Sequence, residues 1–93
     1  MSVLAKIKLM EEQDKDFTGK FINGFRCTIE YMEGENWECL VELNSEAFPG
    51  DEVEACISFL SPEEHLNKIK NGMTFKINVA IYKVGYGKFL SSF

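Results

Sequence analysis

The chain has 93 residues, of which 45% are hydrophobic and 27% are charged, and its formal net charge is −5. This length allows one domain with one hydrophobic core, which we expect to span residues 1–93, and an apolar content that includes eight Phe excludes a chain disordered by composition. The sequence has no signal-peptide pattern and no run of roughly 18 apolar residues such as a membrane span needs, so we expect a cytoplasmic protein without membrane association.

Alternation of apolar and polar residues, which is typical of half-buried strands, recurs in six segments. The predicted strands span residues 3–10, 25–31, 37–43, 52–60, 73–80 and 82–90. Turns rich in Gly, Pro and Asn separate several of them, including 33–36 and 48–51. Gly85 and Gly87 lie inside the last strand and predict a bulge or the close approach of another backbone.

One segment breaks the alternation between the fourth and fifth strands. Ser61, Pro62 and Glu64 have the spacing of a helix N-terminus with a capping box, and Gly72 is a candidate for the C-cap. We therefore predict one short helix over about 62–71. Six strands with one short helix predict an all-β domain, either a closed barrel or a sandwich.

Candidates for catalysis or metal binding are few. The single His65 is expected to be an exposed helix residue, and one histidine cannot build a metal site or a nucleophilic site. Cys27, Cys39 and Cys56 each fall in an apolar strand pattern and are predicted to be buried thiols. In an alternative, Cys39 and Cys56 approach across strands three and four and bind a metal. We expect no catalytic residue, no metal site and no cofactor, and hence no enzyme.

Charge is distributed unevenly along the chain. Between Cys27 and Asn67 there are eleven Asp or Glu and no Lys or Arg, whereas residues 68–93 contain five Lys and no acid. In one interpretation, neighbouring strands carry opposite charges that pair across the sheet. In the other, an acidic surface binds a basic protein. The candidate residues of this acidic face are Glu30, Glu38, Glu42 and Glu54.

A second candidate surface lies near the end of the chain, where aromatic residues stand beside Lys and Gly. Such clusters are favoured at protein interfaces. The candidate apolar edge consists of Tyr82, Tyr86, Phe89 and Phe93, and it is either a contact surface, including a seam between two copies of the chain, or part of the core.

Five segments carry motifs in a fixed order. They are FINGFRCTIEY at 21–31, FPGDEV at 48–53, SP at 61–62, GMTFKI at 72–77 and VGYG at 84–87. In this order, and at nearly the same spacing, they resemble segments of the third, C-terminal domain of translation elongation factor Tu. The resemblance covers most of the chain and implies a six-stranded antiparallel Greek-key barrel.

In that family the barrel follows a GTPase domain, contacts the T-stem of aminoacyl-tRNA and binds the nucleotide-exchange factor. This chain has no Gly-x-x-x-x-Gly-Lys-Ser/Thr loop, so we expect no nucleotide binding. The resemblance places Arg26 and Thr28 at positions that contact tRNA. Residues 78–81 replace the family's Arg-Glu-Gly-Gly hairpin, and Phe17-Thr18 lacks the basic pair of its Arg-His-Thr segment. Phosphate recognition needs several basic residues together, so tRNA binding is not the expected function.

These features predict a non-catalytic protein-interaction module, whose partner is another protein or a second copy of the chain. An alternative is a weak binder of tRNA or other RNA that uses the remaining basic and polar positions. Those positions are Lys20, Arg26, Thr28, Lys83 and Lys88. Small size and acidity are also compatible with an immunity-type protein that neutralises a toxin.

Overall fold

The structure is a computed structural model that describes residues 2–10, 24–44, 46–80 and 82–93. Its strands are β1 (Val3–Leu9), β2 (Phe25–Met32), β3 (Glu35–Leu43), β4 (Glu52–Phe59), β5 (Thr74–Val79) and β6 (Tyr82–Phe89). Neighbouring strands pair antiparallel in the order β1-β4-β3-β2-β5-β6, and β6 pairs with β1 to close the barrel. The order β1-β4-β3-β2 is a Greek key. The prediction of an all-β, six-stranded antiparallel barrel is confirmed.

Each strand sends every second side chain into the barrel, which is why the alternation in the sequence located the strands. Ile7, Ile29, Val41, Ile57 and Ile77, one from each of β1 to β5, are fully buried. Each such side chain contributes about 1.5–3 kcal/mol relative to an exposed one. The core therefore runs along the barrel axis and leaves the outer face of every strand for function.

The two glycines of β6 allow close packing on β1 and β5. A Cβ atom at Gly85 would lie 2.5 Å from the carbonyl oxygen of Lys8, and one at Gly87 would lie 2.8 Å from that of Lys6 and overlap the ring of Phe75. The register between β5 and β6 also shifts next to Ile77. The sequence prediction of a bulge or a close backbone approach is thus confirmed.

The prediction of a helix over about 62–71 is wrong, because the observed helical segment is much shorter. One 3-10 turn spans Pro62–His65, the Ser61 side chain makes no capping hydrogen bond, and the chain is extended at Leu66. After Leu66 the backbone forms hydrogen bonds with the C-terminal segment instead. The amide of Asn67 donates to the Phe93 carbonyl at 2.8 Å. These long-range hydrogen bonds take the place of the helical ones, because the segment lies across one end of the barrel.

Candidate functional site

His65 lies inside an aromatic cluster at the end of the barrel. Its ring is fully buried, stacks on Phe59 with centroids 3.9 Å apart, and meets the edge of Trp37 at 4.6 Å. The Tyr31 hydroxyl and His65 Nδ1 are 2.5 Å apart. The prediction of an exposed helix residue is therefore wrong, since the 3-10 turn directs His65 inward while Glu63 and Glu64 face solvent.

Burial keeps the His65 imidazole and the Tyr31 hydroxyl uncharged near neutral pH. It lowers the pKa of His65, with a further lowering by Lys68, and it raises the pKa of Tyr31. His65 Nε2 and Trp37 Nε1 are buried and have no hydrogen-bond partner among the residues that the structure describes. An imidazole without exposed surface cannot reach a substrate, so the cluster packs one end of the barrel.

Two of the four candidate acidic residues lie beside lysines. Glu30 on β2 lies opposite Lys76 on β5, and its carboxylate accepts a hydrogen bond from the backbone amide of Gly34 at 2.9 Å. Glu54 on β4 lies opposite Lys6 on β1. At these positions the arrangement matches the interpretation in which opposite charges face one another across the sheet.

Glu38 and Glu42 on β3 differ from the other two acids. Both are exposed. Among the described residues, which are 2–10, 24–44, 46–80 and 82–93, the ion pair joins Lys6 to Glu52 at 3.7 Å and involves neither Glu38 nor Glu42. Arg26 lies opposite Leu40 and so one diagonal step from each of the two carboxylates. The outer face of β3 is therefore acidic, with one arginine at its side.

A groove of about 490 Å³ crosses this face. Its apolar lining includes Leu40 and Leu60, and Leu60 is 57% exposed. Both leucines occupy positions where the strand alternation calls for a polar residue, a signal that sequence reasoning missed. We call this groove the β3 groove. It is lined by Arg26, Cys27, Thr28, Glu38, Cys39, Leu40, Ser58, Phe59, Leu60 and Ala80.

The predicted RNA-contacting residues that the structure describes lie in three places. Lys20 is outside the described residues. Arg26 and Thr28 line the β3 groove. Thr28 lies opposite Asn78, and Asn78 lies opposite Lys83, so Lys83 is two strands away, at about 10 Å.

Lys88 lies elsewhere on β6, opposite Lys6 of β1. Nearby, Tyr86 is 48% exposed and lies between Lys8 and Lys76, its cross-strand neighbours. The barrel thus separates Lys88 from Arg26 and places it among other lysines, one of which, Lys6, pairs with Glu52; the sequence alone did not indicate this grouping.

The candidate apolar edge is not one surface. Phe89 is fully buried and packs against Phe75 with ring centroids 4.5 Å apart, so of the two alternatives the core applies to Phe89 and the contact surface is wrong for it. Tyr82 and Phe93 are half-buried, and Tyr86 is exposed. Tyr82 and Phe89 are the two ends of β6, about 23 Å apart along an extended strand. A single aromatic seam is therefore not formed.

The three cysteines divide into a pair and a single residue. Cys27 and Cys39 are buried, with their Sγ atoms 3.6 Å apart, whereas Cys56 is exposed. The prediction of a buried thiol is wrong for Cys56, because the even positions of β4 face outward. Cys39 lies opposite Phe59 and Cys56 opposite Glu42, so the alternative pairing of Cys39 with Cys56 is also wrong.

Neither a metal site nor a membrane-spanning helix is found among the described residues, and sequence similarity assigns the chain to no family. In the described part of the chain, no cluster of three or more His, Cys, Asp or Glu could hold a metal ion. None of the described helical structure is long and apolar enough to cross a membrane. Neither a protein-family model nor a curated protein matches the sequence. Function is therefore inferred from the surface of the barrel.

Proposed function

We propose that this chain is a non-catalytic protein-interaction module, with a barrel like the C-terminal barrel of elongation factor Tu, and that the β3 groove binds a short basic and apolar segment of a partner protein. The observation that supports the proposal is the presence of an exposed leucine, Leu60, and an exposed carboxylate, Glu38, in the same groove. The volume of about 490 Å³ accommodates a few side chains of a partner.

The apolar part of the groove favours a partner with an apolar anchor. Leu60 is 57% exposed at the end of β4, and Leu40 lies half-buried beside it on the groove wall. Removing the exposed part of Leu60 from water would contribute on the order of 1 kcal/mol. An aromatic side chain of the partner fits this role, since Trp and Tyr are frequent among the residues that dominate the binding energy of protein interfaces.

The charges around the groove favour a basic partner. Glu38 in the groove and Glu42 next to it on β3 both face solvent, and the chain as a whole carries a net charge of −5. Lys or Arg residues of a partner would find complementary charge there, which mainly increases the association rate and makes it depend on salt. Arg26 at the side of the groove can bind a carbonyl or carboxylate of the same segment.

A displayed library of random short peptides tests the proposal. Peptides selected on the wild-type chain should be enriched in Lys or Arg next to apolar residues, and binding should weaken as salt increases. The double variant E38Q/L60Q should lose these peptides. The matched control E63Q/E64Q changes exposed carboxylates outside the groove and should retain them. Selected peptides without basic residues, or equal binding by both variants, would contradict the proposal.

RNA binding is a second candidate because of the basic surface around Tyr86. Lys6 and Lys88 are like charges on directly opposite positions, and the exposed Tyr86 lies between Lys8 and Lys76. An aromatic ring among lysines suits a single-stranded nucleic acid, which stacks a base and places phosphates on the cations. A gel shift with tRNA and with single-stranded RNA at low salt tests it, and K88E should weaken any shift.

A further inference from the structure

Cys27 and Cys39 are directly opposite each other on β2 and β3. Opposite residues of antiparallel strands have Cα atoms about 4.5–5.5 Å apart, within the roughly 4.4–6.8 Å that disulfide bonds span. Their Sγ atoms are already in contact at 3.6 Å. Side-chain rotation alone could therefore bring the sulfurs to bonding distance, with the backbone of the barrel in place.

The pair is close to solvent on one side. Cys27 and Cys39 both line the β3 groove, and they are 7% and 2% exposed. The hydrogen bond between the Cys39 and Cys27 thiols and burial both raise the pKa of Cys39, so that it is a neutral thiol at neutral pH. Cys27 is the more exposed of the two residues, so we assign the first reaction to it.

We propose that Cys27 and Cys39 are a site of thiol–disulfide exchange, and that a low-molecular-weight disulfide such as oxidised glutathione converts them into an intramolecular disulfide. The Cys27 thiol loses its proton and attacks one sulfur of the small disulfide, which breaks the S–S bond and forms a mixed disulfide, and the other half leaves as a thiolate that takes up a proton and becomes a small thiol. Cys39 then loses its proton and attacks Sγ of Cys27, which releases the second small thiol. The protein loses two protons and two electrons, and the small disulfide gains them and becomes two thiols.

The exposed Cys56 provides an internal contrast. It lies on the outer face of β4, opposite Glu42 and Leu4 on the neighbouring strands. A disulfide therefore forms at Cys27 and Cys39, whereas the same reagent leaves a stable glutathione adduct on Cys56. The cross-link would join positions 12 residues apart, across the β2–β3 hairpin, and would restrict the unfolded chain.

The experiment uses the full chain with C56S, so that only the buried pair can react. The folded protein is incubated with oxidised glutathione at mildly alkaline pH and analysed by intact mass and by peptide mapping without reduction. We expect a product lighter by two hydrogen atoms, a cross-linked peptide containing Cys27 and Cys39, and a melting temperature higher by roughly 5–15 °C. Reduction with dithiothreitol should reverse all three.

A second variant, C39A/C56S, separates the two steps. With Cys39 absent, the same treatment should leave a persistent glutathione adduct on Cys27. The proposal is overturned if the C56S protein stays unmodified, if it keeps a glutathione adduct without forming the cross-link, or if the cross-link forms only in denaturant. The first of these outcomes would show a purely structural pair of thiols.

Discussion

Acidification should destabilise the barrel through His65. The ring is fully buried among Phe59, Trp37 and Tyr31, and burial lowers its pKa below the ordinary value of 6.5. The charged groups near it act in both directions, because Lys68 lowers the pKa further while Glu64 and Glu63 raise it. Burial is the largest effect, so the native protein disfavours the protonated imidazole.

The sign and size of the effect follow from the difference in proton binding between the folded and unfolded chains. Well above about pH 6.5 the histidine is neutral in both states, and its contribution to stability is fully present. Below that pH the unfolded chain takes up a proton that the native chain does not. The free energy of unfolding therefore falls by up to about 1.4 kcal/mol per pH unit, until the pH reaches the lower pKa of the native state.

Urea denaturation of the wild type and H65F between about pH 7.5 and pH 5 measures this effect. Phe keeps a flat ring that can stack on Phe59, and it does not titrate. The difference in unfolding free energy between the two proteins cancels most of the contribution of the carboxylates, and it should shift in favour of H65F as the pH falls below about 6.5. A difference that stays constant over this range would refute the reasoning about His65.

Three further changes test the packing of the barrel. G87A should lower the free energy of unfolding by about 1–3 kcal/mol, because the new Cβ overlaps the Phe75 ring; an unchanged urea midpoint would contradict this close packing. Y31F should cost about 1–3 kcal/mol, because it leaves Nδ1 of the buried His65 without its hydroxyl partner, and a stability equal to that of the wild type would argue against that hydrogen bond. L60Q should change stability by less than about 0.5 kcal/mol, since the side chain is exposed; a large loss of melting temperature would show that Leu60 supports the fold.

The strands were predictable because their signal is local. In β4, Ala55, Ile57 and Phe59 alternate with exposed or half-buried residues, and the period of two shows which of them face the core. The predicted bounds of all six strands therefore lie within two residues of the observed ones. The turn before β3 was also visible, since Gly34 adopts a positive φ of 83° that glycine tolerates.

The helix and His65 could not be predicted in the same way. Residues after Pro62 have the composition of a helix, but their backbone bonds to the C-terminal segment, as in the hydrogen bond from the Phe93 amide to the Ile69 carbonyl at 3.0 Å. No local pattern contains that contact, because its partners are 24 positions apart in the sequence. The same docking of the segment onto the barrel end buries His65.

For the candidate surfaces, too, one part was visible in the sequence and another part depended on strand pairing. Alternation placed Glu38 and Glu42 on the outer face of β3, so the acidic character of that face was available from the sequence. The sequence did not indicate that Leu60 joins Leu40 in one groove, since this depends on the pairing of β3 with β4.

The sequence by itself determined that this protein is an all-β domain of six strands with an acidic outer face on β3, because side-chain alternation and charge are properties of each strand alone. Only the tertiary structure decided which residues meet: Cys27 with Cys39, Tyr31 with His65, and Lys6 with Lys88. These contacts depend on strand order and register, which are set when the whole barrel closes around its core.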